Sequence, residues 1–261
     1  DAQGNVASVN YKDFDEALQL YMAAGIRRFF FFNYFGDCGR GVSSPLGAGN
    51  VGPASLTIES PEWRIAVKQM VVRLVGRCQS LGLGYDSFAL YPIDEPNDDM
   101  IGKGGLEVWS MLKEADPKVR VFVDPQASVP GLAKIAPAID IWCPHLVKDQ
   151  DLSEEYVRFY RSEQKSGKAF FTYNCQDSDK TFPTLGHYRR MLWRCWNLGI
   201  TGAGFWDYAD TGHDKVEASA WTDFDGARVD FSIVYDAATA PPGVSRKEAQ
   251  IPSRRWEAWR D

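Results

Sequence analysis

The chain alternates short apolar runs with longer segments in which apolar residues recur at helical spacing. Over 13–24, Phe14, Leu18, Tyr21 and Met22 share one face. Asp13 and Glu16 stand at capping-box spacing there, and Gly25 stops the helix. A clearer helix is predicted over 61–81, with Ser60 as its cap and Pro61 in its first position. Its stripe is Trp63, Ala66, Val67, Met70, Val71, Leu74, Val75 and Cys78, and Gly82 ends it. Further helices fit 105–115, 130–138, 153–165 and 184–198. In the last of these, the spacing of Trp193 with Leu185, Tyr188 and Trp196 predicts a face packed against a sheet. Strands are predicted at 26–33, 87–94, 119–124, 140–145, 169–174 and 202–207.

Strand–helix alternation of this kind builds a parallel sheet. Six strands are visible, and the chain opens in a helix that feeds the first of them. The expected fold is therefore α/β: a TIM-type (β/α)8 barrel lacking its first one or two β/α units, one barrel domain over 1–261, excerpted from a longer protein. A six-stranded open sheet is the alternative. A nucleotide-binding doubly wound sheet is the weaker architecture, because no Gly-rich phosphate fingerprint follows any strand. Gly36, Gly39 and Gly41 come without G-K-[ST]. Two long segments, 34–60 and 208–252, each follow a strand, the latter with an extra strand expected at 229–235. Such βα positions lie on the face of a barrel where active sites are built.

Composition narrows the function. Hydrophobic residues make up 44% and charged residues 25% of 261, which is ordinary globular usage. A net charge of −6 without any basic run argues against a nucleic-acid partner. No apolar stretch is long enough to cross a bilayer, so no membrane partner is expected. Five cysteines, Cys38, Cys78, Cys143, Cys175 and Cys195, are scattered and never form C-x-x-C, which supports neither a zinc site nor a disulfide framework. His187 and His213 have no partners at ligand spacing, and Asp223-Phe224-Asp225-Gly226 lacks the rest of a calcium loop and reads as a turn. No metal or cofactor is expected. The compositional excess is aromatic, with 9 Trp, 11 Tyr and 15 Phe. Most of the Phe fill the core, while Trp and Tyr at strand ends can stack on the C–H faces of sugars.

The most informative stretch is Tyr91-Pro92-Ile93-Asp94-Glu95-Pro96-Asn97, where an apolar strand ends in two adjacent carboxylates and a proline stops the ladder. On a regular strand, neighbours face opposite ways. A bend forced at the strand end lets both acids reach one mouth. Like charges so close do not both ionise cheaply, so one carboxyl is expected to keep its proton near neutral pH and act as an acid. A solvated turn with helix-capping carboxylates is the plainer reading of the same spacing. If the barrel closes, further strand ends converge on the same rim: Asn33, Tyr34, Asp124, His145, Tyr173, Asn174, Trp206, Asp207 and, just beyond, Tyr208. Trp206 is the candidate for stacking under a sugar ring, with a barrel-end plug as its alternative. His145 reads more simply as a buried, satisfied histidine.

The Asp94-Glu95-Pro96 strand end, with His187-Tyr188-Arg189-Arg190-Met191-Leu192-Trp193 and then Gly199-Ile200-Thr201-Gly202-Ala203-Gly204-Phe205-Trp206, resembles the family-123 glycoside hydrolases, the β-N-acetylgalactosaminidases. The closing 252–261 is similar to the helix that ends that family's barrel, and the resemblance runs from about residue 10 to the end. It implies a carbohydrate substrate and a retaining, substrate-assisted mechanism in which the sugar's own 2-acetamido carbonyl attacks the anomeric carbon. Under that resemblance Glu95 is the acid/base and Asp94 orients the acetamido group, and a secreted or periplasmic location is expected; Tyr173 could bond the acetamido carbonyl or equally only close the core. The strand reading Ala169-Phe170-Phe171-Thr172-Tyr173-Asn174-Cys175-Gln176-Asp177 contains no Glu to serve as a protein nucleophile, which agrees with that scheme. Two other readings stand beside it. One is a two-carboxylate retaining β-glycosidase with Glu95 as acid/base and Asp177 or Asp207 as nucleophile; the other is a carbohydrate-binding barrel without turnover.

Overall fold

The computed structural model describes residues 3–28, 30–32, 60–145, 153–174, 183–205, 221, 232–244 and 249–261. The chain divides into two compact units. The first comprises Asp1–Pro144 with Ser162–Ala169, the second His145–Arg161 with Phe170–Asp261.

In the first unit, helix α1 (Lys12–Ala23) leads to strand β1 (Phe30–Phe32), helix α2 (Pro61–Ser80) and strand β2 (Phe88–Leu90). A helical stretch from Asp98 to Ala115 follows. It is built of α3 (Asp98–Met100), a π turn at Ile101–Gly105 and α4 (Leu106–Ala115). Then come β3 (Phe122–Val123), α5 (Val129–Ile135) and β4 (Ile141–Trp142). Consecutive strands are parallel: β1 pairs with β2, a bridge joins Leu90 to Val121, and β3 pairs with β4. The sheet continues where Ala169 N–H donates to Asp140 O at 2.9 Å.

Helix α2 forms as its stripe dictates. Ser60 accepts the Trp63 N–H, Pro61 occupies the first turn, and all eight predicted stripe residues are buried. Gly82 follows it at φ +84°, a conformation that costs glycine nothing. Helix α4, with Trp109, Met111 and Leu112 buried, packs against α2, and the strand residues Phe88 and Leu90 are buried as well. At α1 the expected capping box is absent. Tyr11 stands at the N-cap without a side-chain bond, and Asp15 instead pairs with Arg77 on α2. The first turn of α1 is thus tied to the neighbouring helix.

In the second unit, α6 (Glu154–Lys165) enters from its first half, and β5 (Ala169–Asn174) pairs in parallel with β6 (Gly202–Phe205). Between them a π turn (Thr184–Arg189) runs into α7 (Arg190–Asn197). The antiparallel pair β7 (Val234–Asp236) and β8 (Gln250–Pro252) precedes α8 (Arg254–Arg260), which Ser253 caps. Its core holds Tyr188, Ile233 and Ala258, flanked by Phe205, Trp256 and Trp259.

The fold is mixed α/β with parallel strands in βα alternation, as the sequence pattern predicts. A closed eight-stranded barrel is not present among the described residues. Three details correct the sequence reading. Strands stop early: β2 ends at Leu90 rather than Asp94, and β3 and β4 form only short ladders. The extra strand begins at Val234 within the described residues. The third concerns 184–198. That segment opens with a π turn, and its buried positions follow plain i, i+3, i+7 spacing, which leaves Trp193, five residues from Tyr188, on another face. Tyr188, Met191 and Cys195 become the buried face, and Leu185, Trp193 and Trp196 are left 61%, 65% and 78% exposed.

Candidate active site

The acid pair lies in the loop that follows β2. Leu90 is the last ladder residue, Tyr91 N–H still reaches Phe32 O at 3.0 Å, and then Pro92 and Ile93 are buried beneath the turn. Asp94 and Glu95 are half-buried. Glu95 has φ +42°, the one left-handed non-glycine among the described residues. A side chain there costs about 1–2 kcal/mol of backbone strain, which the surrounding bonds must hold.

Those bonds run to the loop after β3. The Tyr91 hydroxyl lies within hydrogen-bond reach of Asp94 Oδ1 and, at 2.5 Å, of Asp124 Oδ2. Asp124 Oδ1 accepts the Glu95 backbone N–H at 3.0 Å, and Gln126 Nε2 donates to Glu95 Oε2. Gln126 N–H donates to Pro96 O at 2.9 Å. One turn on, Asn97 caps α3, and Asp98 accepts both the Ser128 N–H (3.0 Å) and the Ser128 hydroxyl (2.9 Å), while Ser128 caps α5. The closeness of this clasp shows at Gly131, where a Cβ would stand 2.0 Å from Asp98 Oδ1. Glu95 is therefore bonded directly to one short segment, 124–126, and Asp94 is linked to it through the Tyr91 hydroxyl, past the break in the strand at the proline and the left-handed residue.

The electrostatics centre on Asp124, which is 7% exposed. Burial pushes its carboxyl up to about 8, against the pull of its bonds to Tyr91 and the Glu95 N–H; Asp94 and Glu95 push it further up. Burial, then the Asp124 carboxylate and to a lesser extent that of Asp94, hold the Tyr91 phenol protonated far above its ordinary range. The sequence reading seeks a retained proton within the Asp94-Glu95 pair. The carboxyl whose titration burial raises stands 29 residues beyond Glu95. Tyr91 and Gln126 were missed by the sequence reading. Tyr91 sits three residues before Asp94 at the end of an apolar strand, a polar group where the ladder stops, and that is the signal for it.

In the second unit, β5 keeps its pleat to the last residue. Phe170, Thr172 and Asn174 are buried, while Phe171 and Tyr173 are half-buried on the other face. Tyr173 pairs with His145 through an isolated bridge, and their rings meet edge-on at 5.0 Å. His145 is buried. Asn174 turns the opposite way, and its Nδ2 lies 2.8 Å from His187 Nε2 on the π turn. Burial, with Arg194 adding a smaller push, lowers the His187 titration, so this imidazole is neutral at pH 7 and accepts from the amide. Asn33, Tyr34, Asp177, Trp206, Asp207, Tyr208 and the turn at 223–226 lie outside the described residues. No group of three or more His, Cys, Asp or Glu among the described residues is arranged to hold a metal ion. None of their helices is long and apolar enough to cross a membrane.

The fold has a solved counterpart. A family 123 glycoside hydrolase from Clostridium perfringens, a protein that hydrolyses glycolipid glycans, superposes with a TM-score of 0.63 over 98% of this chain at 13% identity. The chain spans 45% of that protein's length. No family model matches the chain, and no curated protein does. At this identity the likeness establishes a shared glycoside-hydrolase-like fold.

Proposed function

We propose that the chain is the catalytic part of a glycoside hydrolase that cleaves β-linked N-acetylhexosamine, N-acetylgalactosamine by preference, with retention and substrate assistance. The observation that carries the reading is the linkage of adjacent Asp94 and Glu95 to one segment, the former through the Tyr91 hydroxyl, past a broken strand end, on a fold shared with a glycan hydrolase.

In this mechanism Glu95 protonates the glycosidic oxygen as the leaving group departs. The 2-acetamido carbonyl oxygen forms the bond to the anomeric carbon and yields an oxazolinium ion. The Asp94 carboxylate accepts the acetamido N–H and stabilises the positive charge that develops on that group. Water then attacks the anomeric carbon, the C–O bond to the acetamido oxygen breaks, and Glu95 takes the water's proton. The bond from Gln126 orients the Glu95 carboxyl for both transfers. The side-chain amide itself needs no change of charge to do so. Tyr173 and Trp206 are assigned to sugar contact by the same reading.

The test uses the full-length protein on aryl β-glycosides that differ only at the 2-position. The 2-acetamido sugar is hydrolysed, a thiazoline analogue inhibits, and Glu95→Gln lowers kcat/KM by about 10³-fold, within the range for a general acid. Equal rates on the 2-hydroxy sugar would remove substrate assistance in favour of a protein nucleophile. Binding without turnover would make the protein a carbohydrate-binding barrel.

A further inference from the structure

Proton counting at Tyr91 carries one step further. Three oxygens lie in a row, Asp124 Oδ2, Tyr91 Oη and Asp94 Oδ1, joined by two hydrogen bonds. Each such bond needs a proton, and the phenol brings one. With both carboxyls ionised, one carboxylate oxygen would face a bare lone pair of the phenol across a short gap, a repulsive contact in a partly buried site. The row therefore holds a second proton.

Of its two ends, Asp124 is the place for that proton. It is the more deeply buried carboxyl, and its other oxygen accepts a neutral backbone N–H, with no cation beside it among the described residues. Among those residues the titratable groups that face it are Tyr91, Asp94 and Glu95, all on the loop after β2. We infer that Asp124 is a positioning residue: it remains a protonated acid, donates to Tyr91, and through the Tyr91 hydroxyl holds the Asp94 carboxylate in place while fixing the Glu95 backbone with its second oxygen. The consequence for Asp94 rests on the proposed function; the location of the proton does not.

The side chain of asparagine is a close imitation of a protonated aspartic acid. In Asp124→Asn the amide N–H donates to Tyr91 and the amide oxygen keeps the Glu95 N–H. In Asp124→Ala both bonds vanish. On the 2-acetamido aryl glycoside, Asp124→Asn therefore keeps kcat within a few-fold of the parent protein, whereas Asp124→Ala loses about 100-fold, the scale of a displaced reacting group. A loss in Asp124→Asn equal to that in Asp124→Ala overturns the inference, because the site would then need the charge and not the proton.

A second measurement needs no substrate. In protein labelled with ¹³C at aspartate carboxyls, the resonance absent from Asp124→Asn is expected to titrate above pH 7. Should Asp124→Asn not fold, Tyr91→Phe moves the resonances of Asp94 and Asp124, and Asp94→Asn removes the former, which leaves the latter assigned. Titration below pH 5 overturns the inference whether or not the protein cleaves a glycoside. Titration above pH 7 in a protein inactive on every glycoside supports the proton array and removes the hexosaminidase reading alone.

Discussion

The ends of β2 and β5 each present two neighbouring polar residues, and the chain treats them in opposite ways. At β5 the pleat persists to Asn174, so Tyr173 meets His145 on one face while Asn174 turns toward His187 on the other. At β2 the ladder stops at Leu90, four residues before Asp94, and the backbone turns through a left-handed Glu95. There the alternation that sends adjacent side chains to opposite faces has been broken, as the proposed use of both acids requires. Chemistry that needs two neighbouring groups together calls for a strained loop. A regular strand end supplies one group per face.

Four experiments break or sharpen that contrast, beginning with the largest effect. Removing the Tyr91 hydroxyl by Tyr91→Phe leaves Asp94 Oδ1 and Asp124 Oδ2 facing without their shared partner. A kcat loss of about 100-fold is expected, with about 1–3 kcal/mol less stability in urea unfolding. Asn174→Ala, on the unbroken strand, loses a buried amide and its bond to His187. It is expected to cost a similar 1–3 kcal/mol while kcat/KM of the folded protein stays unchanged; a selective rise in KM would instead put Asn174 against the substrate.

The third experiment reads stability against pH. An unfolded Asp124 ionises near 3.8 and a folded one near 8, so between those values the folded state holds the extra proton. Its stability falls as pH rises through that window, by at most about 1.4 kcal/mol per pH unit, and Asp124→Asn removes that slope. Below the window both states are protonated and the two proteins respond to pH alike at this position. The smallest effect concerns backbone strain. Glu95→Gly is expected to unfold about 1 kcal/mol later than Glu95→Ala, since only glycine accepts φ +42° without penalty. The same pair of substitutions at Asn174 should reverse that order.

How much of this was legible in the sequence depends on what each pattern records. A long amphipathic stripe records burial directly, which is why all eight predicted positions of α2 are inside. The stripe over 184–198 joins residues that do not share one helical face: Trp193 stands five positions from Tyr188, about 140° around a helix, and Trp193 and Trp196 lie outward. The acid pair was visible as two carboxylates before a proline. Its placement past the strand was not, since apolar Pro92 and Ile93 are buried under a turn and read as ladder. Asp124 was singled out as a strand-end polar residue for sugar contact. In the structure its two oxygens are engaged by Tyr91 and the Glu95 N–H, partners that only the pairing of β2 beside β3 brings near.

The π turn at Ile101–Gly105 has a consequence of its own. Such a turn is a helix with one residue too many, packed here so closely that a Cβ on Gly105 would stand 2.7 Å from Met100 O. Deleting a single residue within it would restore uniform winding. Everything ahead of it, from Asn97 back through the acid loop, would then rotate by about 100° relative to α4. A one-codon deletion is thus a short evolutionary route to re-aiming the loop, and its rarity or abundance in natural variants would measure how firmly the present aim is selected.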